Sequence, residues 1–524
     1  MAKAPSPANP KHKKLLLKTI QLQLPGKPPA TLPAADALRL LQQAQQQGNR
    51  PLAFSLAQQL TQQLPALDTP WLTLFGALHD MANFAALARE SERCLAAINK
   101  FLPALVSGSV AARMLQNYPQ ALSLIEKAVA LEPANAQVVN HLAITLKEMG
   151  QPERALKEFN RCLRLQPDNI SAIWNRADMA GVLSDDEYQR VALLADNARF
   201  NAHQRAMLHY ALSMSDEKAG RYPEQFSHIE QGAALKRSTL NYAHEKEMAQ
   251  TRSIAGFFPA AEKQIPGTTN YDADTPGNQP VPIFICGLPR SGTTLTEQIL
   301  SNHPLVMAGD EINDLPIATA KLLQKKGNKK DFPQWANDLT DADWKAIGDD
   351  YLNTTRYLQN GGFFTDKNLN NYKAIGVIRK ALPQAKIVIC QRNAMDNCWG
   401  CYRQFFVDGM AFTYDLKELA DTWNTSDQLI RHWLASQPET ADVFVVRYEE
   451  LVQAPDTVIR ALVNFCGLPW DDACLNFHTN PRPVKTLSAM QVRQSMTTSR
   501  LEQWRRYENQ LAPLADALAT QPNG

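Results

Sequence analysis

Ile283-Phe-Ile-Cys-Gly-Leu-Pro-Arg-Ser-Gly-Thr-Thr-Leu295 is the stretch on which the reading of this chain turns. An apolar run, a loop of Gly, Pro and Ser, and a helix start follow one another without a break. Beyond the loop, Leu295, Ile299 and Leu300 share one helical face. A strand-loop-helix turn of this kind aims backbone N–H groups and a helix N-terminus at an anion. Against the nucleotide-hydrolase pattern G-x-x-x-x-G-K-[ST], Gly287 and Gly292 fall in place, but Thr293 stands where the lysine belongs, with Thr294 after it. A kinase or NTPase normally sets that lysine against the β- and γ-phosphates. The loop therefore predicts an anion cradle over Arg290, Ser291, Gly292, Thr293 and Thr294, with Arg290 as its cation.

Downstream, short apolar strands are expected at 283–287, 305–308, 363–366, 386–391 and 443–447, separated by amphipathic helices. That alternation implies a mainly parallel sheet covered by helices, with its ligand crevice beyond the carboxyl ends of the strands. The chemically interesting residues fall at those ends. Glu311, in Gly309-Asp-Glu-Ile, reads either as a base at the crevice mouth or as an acid favouring a helix's first turn, and Asp310 competes with it. Lys367 after Phe363-Phe-Thr-Asp reads as a cation for charge developing on a leaving oxygen, or as a solvated surface lysine. Arg392 ends Lys386-Ile-Val-Ile-Cys-Gln, where a guanidinium can grip a phosphate through two parallel bonds.

Upstream the pattern has a different period. Ala53, Leu87, Ala121 and Ala155 are 34 apart, and Pro133, Asn135 and Ala143 recur as Pro167, Asn169 and Ala177. Helical pairs are expected over 35–183, with a further pair near 208–235 and a helical domain spanning 31–263. Stacked pairs of this period form a superhelix with a concave surface. That surface suits a peptide or protein partner, a rigid spacer or a homodimer platform. Residues 264–282 break the period with Pro and Gly and read as a linker, which puts the second domain at 283–520.

Composition sets the outer limits. Hydrophobic residues make up 44% and charged residues 20% of 524, and 54 Lys and Arg meet 52 Asp and Glu for a net +2. No nucleic-acid coat is expected from that balance. Residues 1–30 read as a disordered basic tail. Leu15-Leu16-Leu17 is too short for a signal sequence and no 18-residue apolar run occurs, so a cytoplasmic chain without a membrane span is expected. Eight cysteines fit a reducing compartment. Cys398-Trp-Gly-Cys401 has redox spacing but lacks the second pair a zinc site needs.

Pro289-Arg-Ser-Gly-Thr-Thr-Leu295 resembles the 5′-phosphosulfate loop of sulfotransferases, whose donor is 3′-phosphoadenosine 5′-phosphosulfate (PAPS). With Arg447-Tyr-Glu-Glu-Leu, Gly467-Leu-Pro-Trp and Trp504-Arg-Arg-Tyr following in order, the chain is similar to bacterial sulfotransferases with N-terminal tetratricopeptide repeats. The transfer domain of that family resembles tyrosylprotein sulfotransferase. The resemblance implies an α/β P-loop-like transferase domain after an all-α repeat superhelix, transfer to a hydroxyl or amine acceptor on a peptide or saccharide, and no metal. It implies that Glu311 is the base, that Lys367 in Asp-Lys-Asn is the catalytic lysine, and that Arg392 holds the 3′-phosphate. Tyr448, Ser488 and Arg493 match nucleotide contacts. Two departures stand out: Gly400 occupies the family's serine position, and Gln503 replaces a basic residue, with Arg505 or Arg506 as its expected substitute. A repeat scaffold with an inactive transferase half, and a nucleotide kinase or NTPase, are the alternatives; the acceptor itself is not legible. Segment 321–350 is expected to form part of the acceptor wall.

Overall fold

The computed structural model describes residues 14–24, 26, 28–259, 280–360, 362–407, 409–435, 442–480 and 492–519. The chain divides into two compact units, Met1–Ala180 and Gly181–Gly524. In the first, strands β1 (Thr19–Leu22) and β2 (Ala30–Pro33) pair antiparallel with Ile20 opposite Leu32. The expectation of a disordered tail to residue 30 therefore fails from Thr19 onward. Ile20 and Leu22 alternate with polar neighbours and bury against the helical core, which holds the ribbon in place.

After a helix over Ala34–Gln46, four helical pairs follow, whose first members begin at Arg50, Phe84, Tyr118 and Pro152. The 34-residue register has a local cause at each junction. Gly48, Ala82, Gln116 and Gly150 all take positive φ, turning the chain between helices. Asn49, Asn83 and Asn117 then cap the next helix by accepting from the backbone N–H three residues on. Ala53, Leu87, Ala121 and Ala155 lie buried one turn later, and the three alanines are small enough to let neighbouring helices approach.

The second unit opens with helices over Asp185–Ala195, Ala202–Ala219, Tyr222–Ser238 and His244–Phe257. Residues 208 to 213 of the second helix are all buried, so over that stretch it has no solvent face and needs partners all round. One side meets the helix Tyr222–Ser238; another meets the sheet region, where the Tyr210 hydroxyl donates to the Tyr402 carbonyl at 3.1 Å. Phe226 stacks on Trp399 with centroids 6.1 Å apart, and Trp399 lies 4.2 Å from Tyr507. Arg237 bonds both oxygens of Glu418. The compact division at 180/181 therefore joins these helices to the sheet, although their sequence reads as continuing the repeats to 263.

The sheet has the order β4-β5-β3-β6-β7 with all pairs parallel: β3 Val281–Cys286, β4 Val306–Met307, β5 Phe363–Lys367, β6 Lys386–Gln391 and β7 Val443–Arg447. Most of the expected linker, 264–279, lies outside the described residues, and Val281 and Pro282 already belong to β3. Alternate side chains feed two cores. Phe284, Phe364, Ile387 and Ile389 join Trp433 on one face, and Ile283, Ile285, Val388 and Val446 join Ile299 and Leu462 on the other. Among the described residues no helix is long and apolar enough to cross a membrane.

Candidate active site

Every strand of this sheet delivers a residue at its carboxyl end. β3 runs into the loop 287–292, Glu311 follows β4, Lys367 closes β5, Arg392 follows β6 and Tyr448 follows β7. Because β3 is central and the chain crosses to both sides of it, the loop sits at the topological switch point. A cavity of about 300 Å³ opens there, lined by Pro289, Arg290, Gly292, Thr293, Thr294, Glu311, Arg392, Tyr448 and Arg500 among others.

The loop's glycines are dictated by contact. A Cβ on Gly287, where φ is +146°, would stand 2.3 Å from the Cys390 carbonyl oxygen, so only glycine lets the loop press against β6. Gly292, at φ +104°, opens the helix Thr293–Leu300 against the Tyr448 ring. From the helix Ala394–Tyr402, Asn397 Nδ2 and Cys401 Sγ both reach the Pro289 carbonyl, at 2.9 and 3.2 Å. Cys398 and Cys401 are buried free thiols, and burial pushes Cys401 up to about 12, far from the reactive thiolate range.

Arginines gather around the loop. Arg392 donates to the Arg500 carbonyl at 2.9 Å and to the Arg290 carbonyl at 3.5 Å, and its guanidinium lies 4.5 Å from the Tyr448 ring centre. Burial lowers Arg290 to about 10, and the charges of Arg403, Arg392 and Arg500 push in the same direction. Two buried polar atoms beside the loop, Ser291 Oγ and Arg392 Nε, have no hydrogen-bond partner among the described residues. A cluster of like charges with the unused Arg392 N–H among them fits a multiply charged anion such as a nucleotide 3′-phosphate or phosphosulfate. Gly400 faces the same cluster: its added Cβ would meet Arg290 Cβ at 3.4 Å and Arg392 Nη1 at 4.0 Å, room for a small side chain.

On the other side of the loop, Lys367 Nζ donates to Glu311 Oε1 at 2.6 Å. The lysine side chain is 1% exposed and the glutamate 54%, so the pair runs from the protein interior to the cavity mouth. The turn that carries Glu311 is held by a residue the sequence reading passed over, the buried Glu297. Its Oε1 accepts from the Asp310 N–H at 3.0 Å and from Thr365 Oγ1 at 2.8 Å. Thr365 Oγ1 also accepts from the Gly309 N–H, and the Lys367 N–H donates to the Asp310 carbonyl. A buried acid, the one charged residue in the helix Thr293–Leu300 after the loop, was the available signal. The apolar walls Leu369, Phe406 and Met410 were also missed.

The remaining expected residues fall as follows. Ser291 lines a second cavity, of about 610 Å³, which Arg392 also lines. Gly400 and Lys367 stand behind the first cavity's wall, and Arg493 lies between the lining residues Val492 and Gln494. Ser488 lies outside the described residues. Arg505 pairs with Glu502 and Glu508, and Arg506 lies over the Tyr222 ring, so neither lines the cavity. No described residue of 321–350 lines it either; Trp335 and Trp344 of that segment are buried in the core instead. Among the described residues no group of His, Cys, Asp and Glu could hold a metal ion.

Residues 282–472 match the sulfotransferase family, and residues 112–175 match the tetratricopeptide repeat. A protein of uncharacterised function from Aquifex aeolicus is 29% identical over 409 residues, 76% of this chain and 52% of its own length. Protein-tyrosine sulfotransferase 1 of Danio rerio is 27% identical over 201 residues, 37% of this chain and 55% of its own. The chain thus spans about half the length of these curated relatives. Among solved structures, a sulfotransferase domain from a Synechococcus olefin synthase is similar at 21% identity and a TM-score of 0.33, covering 43% of this chain and 88% of that one.

Proposed function

We propose that this chain, in which tetratricopeptide repeats precede a domain of the sulfotransferase family, transfers a sulfuryl group from PAPS to a hydroxyl acceptor. The observation that carries the reading is the convergence of the loop, Arg290, Arg392 and Glu311 on one cavity, with Lys367 bonded to Glu311 from behind its wall. When bound, the donor supplies a sulfuryl group attached to a phosphate leaving group. Arg290, Thr293 and Thr294, with the helix N-terminus, hold the phosphosulfate end, and Arg392 with Tyr448 holds the 3′-phosphate end. Ser291, Gly292 and Gly400 shape the loop and its surroundings rather than supplying side-chain contacts from the cavity wall.

Glu311, half-exposed at the mouth, takes the proton from the acceptor O–H onto its carboxylate. Gaining that proton removes the charge that holds Lys367. The ammonium is then released from its 2.6 Å partner toward the leaving oxygen, where negative charge develops. Proton acceptance and charge neutralisation are thereby linked through one ion pair.

The test is Glu311→Gln in the purified chain, with labelled PAPS and a panel of phenolic, peptidic and saccharide alcohols. The expected result is unchanged affinity for adenosine 3′,5′-bisphosphate with turnover lowered at least about a hundredfold. Undiminished turnover removes Glu311 as the base.

A further inference from the structure

Resting on the reading of the cavity as the donor's site, we propose that the Glu217–Arg403 ion pair sets the net positive charge of the donor-anion cluster. The helical layer before the sheet would thus be a working part of that site. Arg403 caps the carboxyl end of the helix Ala394–Tyr402, which carries Gly400 against Arg290 and Arg392. Its Nη2 donates to Glu217 Oε2, from the helix Ala202–Ala219, and its Nη1 donates to Gln503 Oε1 at 3.1 Å. One guanidinium therefore ties together the helical layer, the helix that pins the loop, and the C-terminal segment.

That segment matters to the cavity. Its residues Val492, Gln494 to Thr497 and Arg500 line the wall, and Gln503 also donates to the Ser499 carbonyl at 3.1 Å. The layer cannot simply drift away, because the Phe226–Trp399 stack, the Tyr210–Tyr402 bond and the Tyr507–Gln225 bond fix it to the same helix and segment. Both partners of the pair are about one-quarter exposed, so solvent screens them less than a surface pair. Arg403 does not line the cavity; it acts on the anion through its neighbours, and its charge is one of those that push Arg290 down. It is a positioning and charge-setting residue.

A charge-setting pair makes a signed prediction for the full chain, read by titration calorimetry with adenosine 3′,5′-bisphosphate at low and high salt. Glu217→Gln adds one net positive charge, so it should tighten binding roughly two- to fivefold at low salt and steepen the salt dependence. Arg403→Gln should weaken binding by a similar factor and flatten the salt dependence. The double variant replaces a neutral pair by a neutral pair and should return to within about twofold of wild type. Arg403→Lys keeps the charge and should stay near wild type, which covers the case in which Arg403→Gln does not fold. Single variants that leave affinity and salt slope unchanged, or that both weaken it, overturn the proposal and leave the pair a structural tie. A wild-type chain that does not bind the probe at all overturns the reading of the cavity, and this proposal with it.

Discussion

The Lys367–Glu311 pair should break unequally, because its two ends sit in different media. Lys367 is 1% exposed and Glu311 54% exposed. Glu311→Ala strips the described side-chain partner from a buried ammonium, a change that typically costs 3–5 kcal/mol; access of water from the exposed side puts this case at the lower end, about 3 kcal/mol. Lys367→Met instead leaves a carboxylate that water already reaches, while a similar volume of apolar side chain fills the interior. Its cost should fall within about 1 kcal/mol of zero, of either sign. Glu311→Gln keeps an oxygen to accept from Nζ and should lie between them. Urea unfolding of the nucleotide-free protein, followed by tryptophan fluorescence, measures all three under one condition. The opposite order, with Lys367→Met more destabilising than Glu311→Ala, would overturn this ranking. That result would mean Lys367 is stabilised by something other than this pair.

Three further outcomes follow from the same site. Gly287→Ala should abolish nucleotide binding and lower the unfolding midpoint, since it forces a Cβ to 2.3 Å from the Cys390 oxygen at a φ that alone costs about 1–3 kcal/mol; an unchanged melting curve would contradict this contact. Gly400→Ser should fit without strain and offer a hydroxyl to the arginines, tightening adenosine 3′,5′-bisphosphate binding by up to about tenfold, a gain that calorimetry would detect. Asp366, a buried residue of β5 bonded to Tyr351 and Asn371, is pushed up to about 7 by that burial. A carboxyl whose folded value is raised binds its proton more tightly when folded, so its contribution is present at acid pH and is lost as pH rises from about 4 through 7. Asp366→Asn should match wild type near the acid end and exceed it in thermal midpoint above pH 7; parallel profiles would refute the assignment.

The sheet was legible because its strands are continuous apolar runs bounded by turn residues, and all five expected strands are present within two residues of their expected ends. The loop was legible because local chemistry makes it: two glycines and a helix start need no distant partner to be recognised. The 34-residue period was legible for the same reason, and Asn49, Asn83 and Asn117 were further marks of it that the reading left unused. What escaped was non-local. Lys367 closes β5 and Glu311 follows the neighbouring β4, 56 residues apart in sequence, and Arg403 and Glu217 lie 186 apart, so nothing in spacing announces either pair. The β1–β2 ribbon was missed because the basic stretch before it dominated the composition, although Ile20 and Leu22 alternate as a half-buried strand must. The helix Ala202–Ala219 was read as a repeat because its period is helical. Only burial all round over residues 208 to 213 assigns it to the sheet's unit.

On the proposed function, the cluster of Arg290, Arg392 and the loop selects a nucleotide with a 3′-phosphate. A thermal-shift titration of the full chain with adenosine 3′,5′-bisphosphate, beside ATP with magnesium, tests it most directly. The expected result is stabilisation by the 3′-phosphorylated nucleotide alone, about 2.7 kcal/mol at a hundred times its Kd. No shift with that nucleotide in demonstrably folded protein, or an equal shift with magnesium-ATP, would contradict it.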